Sequence, residues 1–69
     1  MIPAPRVLEI QQALIGKGYL TEPASGQYDP ATVGAMKAFQ AKENIDVTGY
    51  PTAHALKLLG LNDNAELFG

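Results

Sequence analysis

No cysteine occurs anywhere in the chain, which excludes a disulfide framework and any metal site built on thiolates. Histidine is nearly absent as well. With His54 alone, a zinc site made only of protein ligands is not expected. The five basic residues are scattered singly and the net charge is −2, so the chain lacks the basic surface that nucleic-acid binding requires. No apolar run approaches the roughly 20 residues needed to span a bilayer. We therefore expect no cofactor, no metal, no nucleic-acid partner and no membrane partner.

The chain is also short, and its 69 residues make one small domain. A domain of this size buries only about 60% of its unfolded surface, near the lower limit for a freestanding core. Its first residues, which include Pro3 and Pro5, lack the basic and apolar regions of a signal peptide and resemble a linker. We expect a monomeric module cut from a longer protein, with a linker or start at 1–4 and the domain at 5–61. Residues 62–69 would form a frayed tail in which Leu67 and Phe68 could still dock.

The stretch from Gly26 to Gln40 carries the clearest helix signals in the chain. Asp29 is a good N-cap, because its carboxylate accepts bonds from free N–H groups at a helix start. Pro30 then occupies the first helical position, where its missing N–H costs nothing. The residues that follow with the spacing of one helical face are Thr32, Ala35, Met36 and Phe39. Gly26, before the cap, predicts a turn with positive φ.

Two further helices flank this one. The first is predicted over about residues 5–17 and ends with Gly18 in the left-handed conformation. The central helix, which is the second in the chain, is predicted over 30–42 with Asn44 as its C-terminal cap. The other flanking helix is the third, and it runs from its cap Thr52 to about residue 59. The predicted core consists of Val7, Ile10, Leu14, Tyr28, Ala35, Met36, Phe39, Ile45, Leu56 and Leu59. Gly34 lies inside the second helix at a cost of roughly 1 kcal/mol relative to alanine, so we expect a close neighbour that requires it.

A weak internal repeat links the second and third helices. A shift of 23 residues places Gly26 on Gly49 and Asp29 on Thr52, so that both copies read glycine, cap, helix. Two copies are too few for a solenoid. They indicate one supersecondary unit used twice, with its helices packed on the first helix.

Three motifs follow one another along most of the chain. The first consists of Ile10-Gln11, Leu14 and Gly18-Tyr19. The central motif consists of Gly26, Tyr28, Asp29, Pro30, Thr32, Ala35, Met36, Phe39 and Gln40. The third consists of Ile45, Thr48, Gly49, Leu56 and Leu59. In order and spacing, these motifs over about residues 7–61 closely resemble the peptidoglycan-binding domain family (PGBD-like), which is found beside cell-wall hydrolases.

The resemblance implies an all-α, compact three-helix bundle that tethers an associated hydrolase or other domain to peptidoglycan and has no catalysis of its own. It also implies an extracytoplasmic location and a catalytic domain in the parent chain. The family's central motif has phenylalanine where this chain has Tyr28, glycine at Asp29 and valine at Met36. Ser25 stands where the family usually has an acidic residue and Ala55 where it usually has threonine, and we expect both positions to be structural.

Two other functions are compatible with these residues. The same three-helix unit resembles the propeptide domain of matrix metalloproteases, so a protein-interaction or structural role without wall binding is the alternative. A helix-turn-helix DNA reader is a distant third interpretation, because the acidic balance opposes phosphate binding.

The polar residues predict structure more than catalysis. We expect His54 to face solvent, and Asp29 to act as a cap rather than as an acid. A glycosidase would need two carboxylates held about 5–10 Å apart across one cleft, which we do not expect from a chain this short. Gln11 and Gln40 either satisfy backbone groups of the loops or bind sugar or peptide, and we favour the first role.

The predicted ligand residues lie in the turns between helices: Tyr19, Gln27, Tyr50 and Thr52. An aromatic ring with an apolar face and a polar tip suits a saccharide or a D-amino-acid methyl group, although such rings also cover helix ends. The start of the third helix at Thr52 would favour a carboxylate. These residues predict a shallow site for the glycan, the stem peptide or both.

Overall fold

The computed structural model describes residues 2–61, and within them it contains three α-helices and no strand. The helices are α1 (Ala4–Gly16), α2 (Pro30–Lys42) and α3 (Ala53–Leu58). The predicted all-α, three-helix fold is therefore confirmed, with helix ends within a residue or so of those expected. The expectations for a frayed tail and for Leu67 and Phe68 lie outside the described residues. None of the helices in the described part of the chain has the length and apolarity to cross a membrane.

Side chains cap both α2 and α3, as the sequence predicts. The Asp29 carboxylate accepts a bond of 3.0 Å from the backbone N–H of Thr32 and a second of 2.7 Å from the Thr32 hydroxyl. The Thr52 hydroxyl accepts a 3.1 Å bond from the N–H of Ala55. These bonds satisfy N–H groups that a helix start leaves without an intrahelical partner. The caps thus set where both loops give way to helix.

All three helices end through a residue with positive φ. Gly18 follows α1 with φ 86°, Asn44 follows α2 with φ 59° and Gly60 follows α3 with φ 84°. In each case the next residue or two donate an N–H back to a carbonyl of the last helical turn, as Ile45 does to Gln40 at 3.1 Å. This is the hydrogen-bond pattern by which a left-handed residue closes a helix. The predictions for Gly18 and Asn44 are confirmed.

The core forms where the apolar faces of the helices meet. Its buried residues are Val7, Ile10, Leu14, Leu20, Ala35, Met36, Phe39, Ala55, Leu56 and Leu59. Eight of the ten predicted core residues are among them. The other two, Tyr28 and Ile45, pack against this cluster but stay partly exposed because they lie in loops at its edge. Leu20 and Ala55 complete the core: Leu20 because the chain after α1 folds back over the helix end, and Ala55 as a buried residue of α3.

The expectation that Gly34 has a close neighbour is wrong. A Cβ added at Gly34 would meet nothing within 4 Å. Gly49 is the tightly packed glycine instead. A Cβ there would lie 2.9 Å from Cγ1 of Val33, 3.1 Å from Cε of Lys37 and 3.3 Å from its Cγ. Gly49 also has φ 81°, so both its backbone conformation and its packing require glycine.

Alanine substitutions at these two glycines should have opposite effects. Gly49→Ala is expected to lower the free energy of unfolding by about 1–2 kcal/mol from left-handed strain, and further through the contact with Val33. Gly34→Ala should raise it by up to roughly 1 kcal/mol, because alanine is the better helix former and has open space there. Urea unfolding of both variants measures the difference. Equal stability of the two would contradict the close packing at Gly49.

Candidate functional site

A buried glutamine in α1 holds the loop that precedes α2. Gln11 is 1% exposed, and its Oε1 accepts 2.9 Å bonds from the backbone N–H groups of Ser25 and Gly26. Its Nε2 donates to the carbonyl of Gln27 at 2.9 Å and to the Thr32 hydroxyl at 2.9 Å. The oxygen and the nitrogen of the Gln11 amide therefore both hydrogen-bond to the loop backbone, which is the role that we favoured over sugar binding.

A second glutamine repeats the arrangement in α2. Gln40 is fully buried, and its Oε1 accepts 2.8 Å bonds from the N–H groups of Thr48 and Gly49. Its Nε2 donates to the carbonyl of Tyr50 at 2.9 Å and to the Thr48 hydroxyl at 3.1 Å. We call residues 25–27 the first loop and residues 48–50 the second loop. Each loop is fixed to the preceding helix by one buried amide.

The two loops present matching positions to the surface. The carbonyl bonded by the glutamine belongs to Gln27 in the first loop and to Tyr50 in the second. Both side chains are exposed, and Tyr50 is 54% exposed. The hydroxyls of Ser25 and Thr48 close equivalent turns by accepting from the N–H two residues later, at 3.2 and 3.1 Å. Two of the predicted ligand residues, Gln27 and Tyr50, thus occupy the same place in two copies of one rigid unit.

A pair of stacked tyrosines joins the ends of these loops. The rings of Tyr28 and Tyr50 have centroids 5.3 Å apart and planes 21° apart. The Tyr28 hydroxyl is buried and has no hydrogen-bond partner among residues 2–61. Burial, with a smaller contribution from the nearby Tyr50, raises the pKa of Tyr28 well above its ordinary value. The Tyr28 ring thus packs against one face of the Tyr50 ring, and the other face of Tyr50 is turned to solvent.

Removing the Tyr28 hydroxyl should not harm the fold. Tyr28→Phe is expected to leave stability unchanged or raise it, because a buried donor without a partner costs free energy. The raised pKa means that the folded protein holds the Tyr28 proton more tightly than the unfolded chain does. The contribution of this group to the free energy of unfolding is therefore fully present below about pH 10 and is lost as pH rises above it. Melting temperatures of parent and variant between pH 7 and 11 test both points. A large loss of stability in Tyr28→Phe at pH 7 would contradict the first point, and a parent that loses no more stability than Tyr28→Phe above about pH 10 would contradict the second.

Of the remaining predicted ligand residues, Tyr19 contributes to packing. Its ring meets that of Phe39 edge to face, with centroids 5.6 Å apart and planes 79° apart, and it lies against the core. Tyr19 is therefore partly buried, and its removal would disturb Phe39 as well as any ligand. Thr52 is the cap of α3, and its backbone N–H donates to the carbonyl of Tyr50 at 2.9 Å. Gln27 and Tyr50 thus lie in the two loops and Thr52 lies just after the second loop, whereas Tyr19 packs against the core.

An open cleft of about 290 Å³ lies beside the start of α3. Its lining residues are Asn44, Ile45, Asp46, Thr52 and His54. His54 is exposed, as predicted, and it shares this cleft with Asp46. The carboxylate of Asp46 opposes an anion beside Thr52, which weakens the argument for a carboxylate site at this helix start. The cleft offers hydrogen-bonding groups but no enclosed pocket.

The Asp29 carboxylate, near the first loop, caps α2. The hydroxyl and the backbone N–H of Thr32 hold the pKa of the Asp29 carboxyl below its usual range. A carboxylate with a lowered pKa stays ionised at neutral pH, which suits a cap and not a general acid. Within residues 2–61, no group of three or more histidine, aspartate or glutamate side chains is placed to hold a metal ion.

Comparison with known proteins identifies one family. The model of the family described as "Putative peptidoglycan binding domain" matches residues 3–59 of this chain. That span covers all three helices and both loops. Searches of curated proteins and of solved structures gave no match.

Proposed function

The chain belongs to the peptidoglycan-binding domain family, and on that premise we propose that it is a non-catalytic module that holds an associated domain on the cell wall. The family match over residues 3–59 is the observation that carries the proposal. It implies an extracytoplasmic place of action and a parent chain with a catalytic or other working domain. The ligand is the glycan, the stem peptide or both.

The second loop has the features that a wall ligand needs. Tyr50 offers an exposed aromatic face, which is the usual surface for the apolar face of a sugar ring. Tyr28 behind it and the bonds from Gln40 hold this loop in one conformation. Little conformational entropy is therefore lost when a ligand binds. The exposed amide of Gln27 in the first loop can bond an N-acetyl group or a peptide.

Binding to a single sugar or peptide should be weak. The cleft beside Thr52 is open, and the side chains of Gln27 and Tyr50 are exposed, so a small ligand is little enclosed and each contact contributes a modest free energy. The wall repeats its disaccharide-peptide unit many times, and rebinding to neighbouring units raises the apparent affinity. A module of this kind needs no deep pocket to keep its parent protein on the wall.

Co-sedimentation with purified sacculi tests the proposal. We expect the isolated domain without substitutions, called the parent domain below, to pellet with sacculi and to stay in solution without them. It should release no soluble muropeptide from the sacculi, because no catalytic role is proposed for its residues. A folded parent domain that stays in the supernatant, or that solubilises the sacculi, would show that the proposal is wrong.

The site is tested with variants that leave the fold intact. Gln27→Ala combined with Tyr50→Ala should strongly reduce pelleting while the helical circular dichroism spectrum is kept, since both side chains are exposed. Adding Tyr19→Ala gives the complete set of predicted aromatic and amide contacts, but its stability must be measured because Tyr19 packs on Phe39. Gln12→Ala, on the exposed side of α1, is the matched control and should pellet like the parent. Unchanged pelleting of the double variant would place the ligand site elsewhere.

A further inference from the structure

A lysine side chain crosses the second loop. Carbons Cγ and Cε of Lys37 lie 3.3 and 3.1 Å from the position that a Cβ of Gly49 would occupy. The aliphatic part of Lys37 therefore packs directly on the backbone of Gly49, which is buried beneath it. Long cationic side chains commonly bury the stem in this way and keep the charged end in water. The packing brings the Lys37 ammonium beside the residue that precedes Tyr50.

This ammonium has no acidic partner in the described part of the chain. The ion pair found there joins Arg6 and Glu9 at 2.9 Å, on the exposed side of α1. Lys37 is exposed on α2, and its stem packs on Gly49. Tyr50, which directly follows Gly49 in the chain, is 54% exposed. The second loop is thus covered by a cationic side chain at Gly49 and carries an exposed aromatic side chain at the next residue.

The first loop shows that the lysine is not needed to build such a unit. There, Gly26 is covered by Ala4 and by Leu8, whose Cγ lies 3.7 Å from the position of an added Cβ. Leu8 stands three residues before Gln11, and Lys37 stands three residues before Gln40. The two units share the same construction and differ in the residue that lies over the glycine. An apolar side chain takes this position over the first loop, so a unit of this construction does not depend on a charge there.

We propose that Lys37 and Tyr50 together bind a free carboxylate of the peptidoglycan stem peptide. The inference rests on the proposed wall-binding function and assigns the peptide, in place of the glycan, to the second loop. The Lys37 ammonium pairs with the carboxylate, and the Tyr50 ring covers the adjacent apolar part of the residue, such as the methyl group of a D-alanine. The glycan strand carries no carboxylate of this kind that is free once the stem peptide is attached, so the cation discriminates between the two parts of the polymer.

The test compares two synthetic stem peptides that differ only at the C-terminus, one with a free carboxylate and one with a carboxamide. Binding is measured by calorimetry or by the NMR shifts of the Gly49 amide and the Tyr50 ring. We expect the parent domain to bind the acid about two- to fivefold more tightly than the amide, as for an exposed ion pair. This preference should shrink as the salt concentration is raised toward 1 M.

The decisive variant is Lys37→Met, which keeps an unbranched stem over Gly49 and removes the charge. It should fold like the parent, bind the two peptides equally and pellet less with sacculi. Lys42→Met removes a charge from the last turn of the same helix and should keep the preference for the acid. A parent domain that pellets with sacculi but does not distinguish the two peptides would refute the inference and leave the proposed function standing. So would a preference that survives in Lys37→Met. A parent domain that does not pellet at all would refute both.

Discussion

Replacing Phe39 with alanine is expected to lower the free energy of unfolding by about 3–5 kcal/mol, the usual cost of removing a buried phenyl ring. Phe39 is 1% exposed and is the largest of the fully buried side chains. Its ring also supports that of Tyr19, so the substitution removes an edge-to-face contact along with the apolar area. Domains of this size are stable by only a few kcal/mol. Much of the Phe39→Ala protein should therefore be unfolded at 37 °C.

Urea titration followed by circular dichroism at 222 nm measures this effect. Leu58→Ala is the control, since Leu58 is a large apolar residue on α3 that is partly exposed to solvent. It should change the free energy of unfolding by less than about 1 kcal/mol. A Phe39→Ala protein that melts within a few degrees of the parent would mean that the centre of the core lies elsewhere.

Replacing Gln40 with alanine should have the second-largest effect, a loss of about 2–4 kcal/mol. The substitution leaves the N–H groups of Thr48 and Gly49 without their acceptor, and such orphaned groups cost about 1–3 kcal/mol each when buried. It also releases the carbonyl of Tyr50 from its donor. The second loop should then lose its fixed conformation. Hydrogen exchange at the Gly49 amide should accelerate more than exchange within α1.

One further variant at this position separates lost hydrogen bonds from lost volume, and a variant at Gln12 serves as the control. Gln40→Glu keeps an acceptor for both N–H groups, but its carboxylate would face the Tyr50 carbonyl in a buried place. Burial should raise the pKa of this glutamate above its unfolded value of about 4.3, so the variant should be most stable in acid and lose stability as pH rises through the raised pKa. Gln12→Ala, which changes an exposed glutamine of α1, should have little effect. Equal stability of Gln40→Ala and Gln12→Ala would contradict the role assigned to the buried amide.

The candidate site was only partly predictable from the sequence. The repeat that places Gly26 on Gly49 also aligns Gln27 with Tyr50, and the structure shows both in matching loops. Lys37 was missed, because that repeat relates α2 to α3 and leaves α1 out. A comparison of the chain before Gln11 with the chain before Gln40 would have drawn attention to it, since Leu8 and Lys37 stand at the same distance from the two glutamines.

The expectation for Gly34 failed because the cost of a helical glycine says nothing about which neighbour, if any, lies beside it. The packed glycine is Gly49, where only the folded chain brings Val33 and Lys37 against the loop. Tyr19 and Tyr50 illustrate the same limit. Both are tyrosines in turns, yet one packs on Phe39 and the other has an outer face in solvent.

The sequence by itself determined the three helices, their caps and the left-handed residues after them, because these depend on contacts within a few residues. Periodicity likewise identified most of the core, since helical spacing places apolar side chains on one face. The tertiary structure alone decided which loop each buried glutamine holds and which tyrosine remains exposed. It also decided where the Lys37 charge lies. These outcomes depend on contacts between residues far apart in the chain, such as Gln11 with Gln27, and spacing within one segment carries no information about them.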